Sequence, residues 1–239
     1  EPRVPLMGPY MAYLALMFFV DSLPDGDLFR HLGIAMHIVA AGWAAWIVRR
    51  YWPPMGGWQL LLAIPAGLFA AWMWVAVQHG LEAVTIGGVN LGGSLGLSSD
   101  FPYVKLTPVD LAAVKVVPET FASTGSFVAH AVLKITRAIT IVPLVEELFW
   151  RGFVLRAFIN WDRFELVPLA RFTLFSFLGS SLLSVLQHPS QWGASILCWM
   201  FFNALFYKTR SLRCLIAVHG VTNLALYLYV IQSGDWQFW

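Results

Sequence analysis

Long apolar runs separated by short polar stretches dominate this sequence. A helix needs about 20 apolar residues to cross the hydrocarbon core of a bilayer. Uncharged runs of suitable length predict membrane-spanning helices over residues 4–20, 31–48, 58–77 and 214–234. Another uncharged run, over residues 172–207, is too long for a single span.

The sequence His-Pro-Ser-Gln at residues 188–191 interrupts this long run. Proline lacks an N–H and disfavours a helical residue before it, so the run predicts two helices joined by a tight turn. A seventh helix, over about residues 139–160, is less regular because charges interrupt it. The pattern therefore predicts an all-α, polytopic membrane bundle of about seven transmembrane helices, forming a single integral membrane domain over residues 1–239.

The Lys and Arg residues outside the spans predict the orientation, because cytoplasmic loops carry an excess of positive charge. With the N-terminus inside, the outer side holds only Arg30, Lys105, Lys115, Lys134 and Arg137. The inner side then collects Arg3, Arg49, Arg50, Arg156, Arg163, Arg171, Lys208, Arg210 and Arg213.

The pattern changes after residue 77, and we expect residues 1–125 to comprise the N-terminal helices and a Gly-rich loop. A helix is unfavourable in this loop, because each glycine costs about 1 kcal/mol relative to alanine; the glycines are Gly87, Gly88, Gly92, Gly93 and Gly96. Further on, Thr107 followed by Pro108 and Asp110 is typical of a helix start. A short interfacial helix is therefore predicted over residues 111–117.

Composition agrees with a membrane protein and excludes several classes. Hydrophobic residues make up 59% of the chain and charged residues 12%, whereas soluble domains carry about 25% charged residues. The net charge of +2, without a basic block, does not indicate nucleic acid as a partner. Cys198 and Cys214 have no metal or redox spacing, and two cysteines do not form a disulfide framework.

The candidate chemistry lies in the seventh predicted helix. A charge at bilayer depth costs about 3 kcal/mol on insertion scales, so such residues indicate pairing or function. Glu147 and Arg151 are four residues apart and can form an ion pair on one helix face. Glu146 points about 100° away and has no partner in its own helix, which suits a general base. The alternative is a helix held by an ion-pair network without chemistry.

Two histidines complete the set of candidates. His188 ends a predicted helix, and His219 shares a face with Asn223 in the last one. The helical rise puts His219 only about 9 Å above Arg213, so the last helix must be offset or begin elsewhere. The other histidines have no acidic neighbour at helical spacing and are expected to be interfacial or packing residues: His31, His37, His79 and His130.

Zinc is an open alternative at this point. Glu146, Glu147, His188 and His219 are all residue types that bind zinc. However, the sequence contains no HExxH motif and no other compelling ligand spacing.

These motifs resemble the CAAX prenyl protease and bacteriocin-processing (CPBP) family of intramembrane proteases. The resemblance rests on Pro143-x-x-Glu146-Glu147-x-x-x-Arg151-Gly152, on His188 at a helix end and on His219-x-x-x-Asn223. It covers residues 126–231, which would form the catalytic helical core. Ser184 departs from the family pattern, which has Phe four residues before its His. The chain also resembles bacterial members associated with exosortase-type sorting, which implies the plasma membrane of a bacterium or archaeon.

The resemblance implies an endopeptidase that cuts a membrane-associated protein or peptide near its C-terminus. Prenylated and other lipid-anchored proteins are among the substrates that it implies. Glu146 and His188 would hold and deprotonate a water molecule. His219 and Asn223 would stabilise the negative oxygen, and Glu147 would assist proton transfer while its ion pair with Arg151 fixes the site. The expected partners are this substrate and the lipid bilayer, without a cofactor.

Two other classes of function stay open. A proton-coupled transporter would use the same buried carboxylates and histidines as a relay, and it predicts an inverted repeat between the two halves. The charges, however, cluster in the second half. A non-catalytic membrane scaffold would require a degenerate site, for which Ser184 is the only argument.

Overall fold

The computed structural model describes residues 2–92 and 118–239, and this part of the chain is almost entirely helical. Its long helices are α1 (Val4–Asp21), α2 (Asp27–Val48), α3 (Leu60–Glu82), α4 (Thr124–Glu147), α5 (Leu174–Leu183), α6 (Trp192–Thr209) and α7 (Leu212–Ser233). The prediction of an all-α bundle is confirmed, and each predicted span corresponds to one of these helices.

Short helical turns continue or connect the long helices. α4 runs on through a π-helical segment, Leu148–Val154, and a final turn, Leu155–Ala157. Single 3₁₀ turns lie at Arg49–Tyr51, Pro118–Thr120, Phe164–Leu166, Ser184–Leu186, Pro189–Gln191 and Trp236–Phe238. The Pro189–Gln191 turn separates α5 from α6 at the predicted position.

Length and composition identify the membrane-spanning candidates. In the described residues, four helical stretches are long and apolar enough to cross a membrane: Asp27–Tyr51, Leu60–Glu82, Thr124–Ala157 and Leu212–Ser233. Val4–Val20 and Leu174–Leu186 are shorter apolar helices. The outer surface agrees, since large apolar side chains such as Leu61 and Phe18 are 97% and 79% exposed. A water-facing surface avoids large patches of this kind, so this is a membrane-embedded protein.

Small residues let α3, α4 and α7 approach closely. A Cβ on Gly67 of α3 would lie 2.7 Å from the Val218 carbonyl oxygen of α7. A Cβ on Gly220 of α7 would lie 2.9 Å from the Ile139 carbonyl oxygen of α4. Such small-residue contacts are typical of packed membrane helices, and they bring α4 and α7 together at the candidate site.

α4 begins well before the predicted residue 139. Ser123 caps its N-terminus by accepting a hydrogen bond from the Ser126 N–H at 3.1 Å, and the Ser126 hydroxyl donates to Asp27 of α2. Lys134, which the pattern placed outside the helix, lies within it. The Trp239 ring faces its ammonium at 4.7 Å. The helix is therefore longer than its uncharged part.

The start of α7 packs against the segment that precedes α3. Ser211 is 1% exposed and its hydroxyl donates to the Gly57 carbonyl at 2.6 Å. The Arg213 N–H donates to the Met55 carbonyl at 2.9 Å. Residues 52–59 thus cover the start of α7. His219 contacts Glu147, so α7 is offset relative to the helix that carries Glu147, which is one of the two expectations from the sequence.

The region after α3 differs from the sequence prediction in one respect. α3 continues to Glu82, and His79 contacts Glu82 at 3.1 Å and Asp235 at 2.9 Å. The expectation that His79 lacks an acidic neighbour is therefore wrong, because the helix extends past the apolar run to an acid three residues on.

A small hairpin follows α3. Strands β1 (Thr85–Ile86) and β2 (Val89–Asn90) pair antiparallel. Gly87 and Gly88 connect them with φ of 59° and 84°, as a type I′ turn requires. Gly93, Gly96 and the predicted interfacial helix over residues 111–117 lie outside the described residues.

Candidate active site

The centre of the site is a buried ion pair in the continuous helix formed by α4 and its π-helical segment. Arg151 Nη1 donates to Glu147 Oε1 at 3.2 Å, and both side chains are 0% exposed. Arg151 belongs to the Leu148–Val154 segment. π-Helical turns inside α-helices are rare and frequently lie at functional sites.

His219 joins this pair from α7. Its Nδ1 lies 2.9 Å from Glu147 Oε1, and the contact is buried. One carboxylate oxygen therefore accepts from both Arg151 and His219, and two motifs separated by 72 residues meet. Since Nδ1 donates to a carboxylate, Nε2 is the ring nitrogen left for other chemistry.

Glu146 precedes Glu147 in the same helix. Glu146 is 7% exposed. Its carboxylate interacts with the Gln187 side chain and, electrostatically, with His219. Gln187 Nε2 donates to the hydroxyl of Tyr10 in α1, and the Tyr10 ring stacks on Phe149 with centroids 4.6 Å apart. Glu146 is thus next to the Gln187 that precedes His188 in the chain.

His188 lies in the turn between α5 and α6 and is half-buried. Two indole rings flank it, Trp74 at 5.0 Å and Trp199 at 5.8 Å between centroids. The Trp74 indole N–H donates to the Gln191 side chain at 2.6 Å, which ties α3 to this turn. In the described part of the chain, the His188 side chain makes no hydrogen bond to Glu146 or to any other residue; His219 is among its electrostatic neighbours.

Asn223 is tied to the backbone of α4. Its Nδ2 donates to the Ala138 carbonyl oxygen at 2.8 Å. A side-chain amide has two N–H donors, so the second N–H of Asn223 is not used by this hydrogen bond. His219 and Asn223 lie one turn apart on the α7 face that packs against α4.

Ser184, where the family pattern has Phe, holds the end of α5 against α6. It is 0% exposed, its hydroxyl donates to the Ser181 carbonyl at 2.6 Å, and it accepts from the Ser195 hydroxyl at 2.8 Å. The aromatic rings beside His188 come instead from Trp74 and Trp199.

The sequence analysis missed several residues of this region. Trp74 and Tyr10 lie outside the motif-bearing segment, and Asn203 is a lone amide in an apolar helix. Arg151 Nε donates to Asn203 Oδ1 at 3.1 Å. No local spacing links any of the three to the acidic pair, so only the tertiary fold reveals them.

The candidate zinc ligands do not form a ligand set. Across residues 2–92 and 118–239, no group of three or more His, Cys, Asp or Glu side chains is arranged to hold a metal ion. Glu147 Oε1 already accepts from Arg151 and His219.

A comparison with protein families identifies the segment that contains this geometry. The family model described as type II CAAX prenyl endopeptidase Rce1-like matches residues 128–225. Over this segment the chain is similar to that family, and we refer to residues 128–225 as the Rce1-like segment. The match confirms the resemblance to the CPBP proteases and gives a protease family for the part of the chain that contains Glu146, Glu147, Arg151, His188, His219 and Asn223. No curated protein and no solved structure matches the chain.

The Rce1-like segment begins within α4 and ends within α7. α1, α2 and α3 lie outside it, yet α1 contributes Tyr10 and α3 contributes Trp74 next to the motif residues. The surroundings of the site therefore depend on both halves of the protein.

Proposed function

We propose that this protein is an intramembrane endopeptidase that cuts a membrane-associated protein or peptide near its C-terminus. The buried contact between His219 and Glu147, inside the Rce1-like segment, supports this most directly. A prenylated or otherwise lipid-anchored substrate is held in the bilayer, and it would reach this buried site from there. The proposed location is the plasma membrane of a bacterium or archaeon.

Glu146 is the general base in this proposal. Among the described residues, Arg151 Nη1 pairs with Glu147, whereas the neighbouring carboxylate of Glu146 makes no ion pair of its own. Together with His188 it would hold a water molecule. Glu146 takes a proton from this water as the water oxygen bonds to the scissile carbonyl carbon.

His219 and Asn223 stabilise the negative oxygen of the tetrahedral intermediate in this proposal. The donors are His219 Nε2 and the second N–H of Asn223. Nδ1 of His219 is already bonded to Glu147, and the first N–H of Asn223 is bonded to the Ala138 carbonyl. Donation by Nε2 requires a ring protonated on both nitrogens, whose positive charge then faces Glu147. Fixed donors aimed at a developing oxyanion are among the strongest contributions to catalysis.

Breakdown of the intermediate completes the reaction. The C–N bond breaks, and Glu146 returns its proton to the leaving nitrogen. Glu147 and Arg151 fix the site, and Glu147 assists proton transfer through His219. The products are a new carboxyl terminus and a free amine on the released peptide.

The first test compares protein C-termini by mass spectrometry. Membrane fractions come from native-host cells that express wild type or Glu146→Gln at matched levels. We expect C-termini that appear only with wild type, because the amide has nearly the same shape as the carboxylate and cannot accept the proton. These termini identify the substrate and the cut together.

Glu165→Gln is the matched control for this test. Glu165 is exposed and pairs with Arg163 outside the site, so this variant should cleave like wild type. Identical C-termini from wild type and Glu146→Gln, with both proteins folded, would instead favour the scaffold or transporter. A parallel sample with excess chelator tests the proposal that the reaction needs no zinc, which requires cleavage to persist.

A further inference from the structure

A buried polar chain extends from the candidate site through α6 to α5. It consists of Glu147, Arg151, Asn203, Ser180 and Ser181, each at most 1% exposed. Apolar side chains surround it, including Trp199 and Phe202, whose rings lie 5.2 and 5.5 Å from the Arg151 guanidinium carbon. Among the described residues, Arg151 Nη2 and Glu147 Oε2 have no hydrogen-bond partner, so the geometry of this network depends on the bonds that are made.

The direction of the hydrogen bonds fixes the amide of Asn203. The hydroxyls of Ser180 and Ser181 both donate to the Phe177 carbonyl, at 3.3 and 2.8 Å. Their oxygens therefore accept from Asn203 Nδ2, at 2.9 and 3.1 Å. With Nδ2 turned toward α5, Oδ1 must face Arg151.

Asn203 in turn fixes Arg151. Its Oδ1 accepts from Arg151 Nε at 3.1 Å, while Arg151 Nη1 donates to Glu147. A guanidinium is planar with donors in a fixed fork, so a partner at Nε sets the direction of Nη1. Asn203 and Glu147 thus hold the guanidinium at two of its nitrogens.

We propose that Asn203 is a positioning residue that, through Arg151 and Glu147, keeps the Nδ1 proton of His219 directed at Glu147 and sets the ring orientation. The role in cleavage rests on the proposed endopeptidase function. The coupling to His219 does not, because it follows from the contacts alone. Around metal sites, removing an outer partner that orients a ligand typically costs 10- to 100-fold in activity, and we expect a loss of the same order here.

The test compares Asn203→Leu with Asn203→Asp. Leucine has a similar size and leaves Arg151 Nε unpaired, whereas aspartate keeps an oxygen for it. The primary readout is the pair of ring nitrogen shifts of His219, measured by NMR on detergent-solubilised full-length protein with ¹⁵N-labelled histidine. His219→Gln assigns the signals. The second readout is the amount of the wild-type-specific C-termini.

We expect Asn203→Leu to change the His219 nitrogen shifts and to lower cleavage about 10- to 100-fold, with partial recovery in Asn203→Asp. Wild-type His219 shifts in Asn203→Leu overturn the proposal, whatever the activity. If wild type produces no specific C-termini, the endopeptidase function is wrong, and the NMR comparison still decides the positioning role.

Two serine variants decide the matter if Asn203→Leu does not fold. Ser181→Ala removes an acceptor of the Asn203 amide. Ser176→Ala is the control, since this buried serine of the same helix bonds Thr173 and Tyr207. We expect altered His219 shifts in Ser181→Ala and wild-type shifts in Ser176→Ala; the same shifts in both would overturn the proposal.

Discussion

Arg151 is the residue on which the charge balance of the site depends. Its guanidinium is fully buried and lies between the carboxylate of Glu147 and the amide of Asn203. An intact buried ion pair contributes little to the free energy of unfolding, but removing one partner lowers it strongly because the other charge is left buried and unpaired. The site therefore depends on both charges being present.

We expect Arg151→Ala to lower the free energy of unfolding by about 3–5 kcal/mol, because it leaves Glu147 buried without its cation. The measurement is the folded yield and the thermal unfolding midpoint in detergent. Arg163→Ala is the control, since the Arg163 side chain is 64% exposed and its pair with Glu165 contributes at most about 1 kcal/mol. Equal stability of the two variants would show that Glu147 does not need Arg151.

The contrast between Arg151 and Asn203 shows what a sequence reveals at this scale. Spacing of four residues suggests the contact between Glu147 and Arg151, because it is local to one helix. Asn203 lies 52 residues from Arg151, and Trp74 lies on a different helix from His188. Contacts of that kind depend on how the helices pack. The hydrophobic pattern does not predict which residues of two packed helices face each other.

At the scale of elements, α3 and α7 pack extensively against each other. The Thr222 hydroxyl of α7 donates to the Gly67 carbonyl of α3 at 3.2 Å. A Cβ on Gly67 would also lie 2.6 Å from the Val221 Cβ. The two helices therefore have no room for a larger residue at this crossing.

We expect Gly67→Ala to destabilise the protein by about 1–3 kcal/mol, as overpacking does, measured as a lower thermal unfolding midpoint. Gly80→Ala is the matched control on the same helix, where a Cβ would meet nothing within 4 Å. That control should be neutral or slightly stabilising. A Gly67→Ala variant that unfolds like the Gly80→Ala control would contradict the packing argument.

Helix existence was predictable from the apolar runs, but the ends of α4 and α7 were not. The start of α4 includes Lys134, whose charge faces the Trp239 ring. The start of α7 lies beneath residues 52–59, which bond Ser211 and Arg213. In both cases a distant segment supplies partners that a reading of the local sequence does not include.

At the scale of the whole molecule, orientation in the membrane is a prediction that labelling can test. Cys198 and Cys214 are 2% and 0% exposed, so engineered cysteines would be labelled over a low background. Asp25 and Asp162 are exposed positions at the predicted outer and inner sides.

We expect an impermeant thiol reagent to label Asp25→Cys in intact cells and Asp162→Cys only after permeabilisation, because positive charge is retained on the cytoplasmic side. Wild-type protein, with its two buried cysteines, gives the background. The reverse labelling pattern would mean that the N-terminus lies outside.

The division of the site between α4 and α7 has a consequence for biosynthesis. While the ribosome is still translating the chain, Glu147 and Arg151 enter the membrane before His219 has been made. The proposed catalytic groups therefore come together only after α7 has been inserted and packed. A chain that stops before α7 lacks His219 and Asn223, so the proposed activity would require translation to have passed this helix.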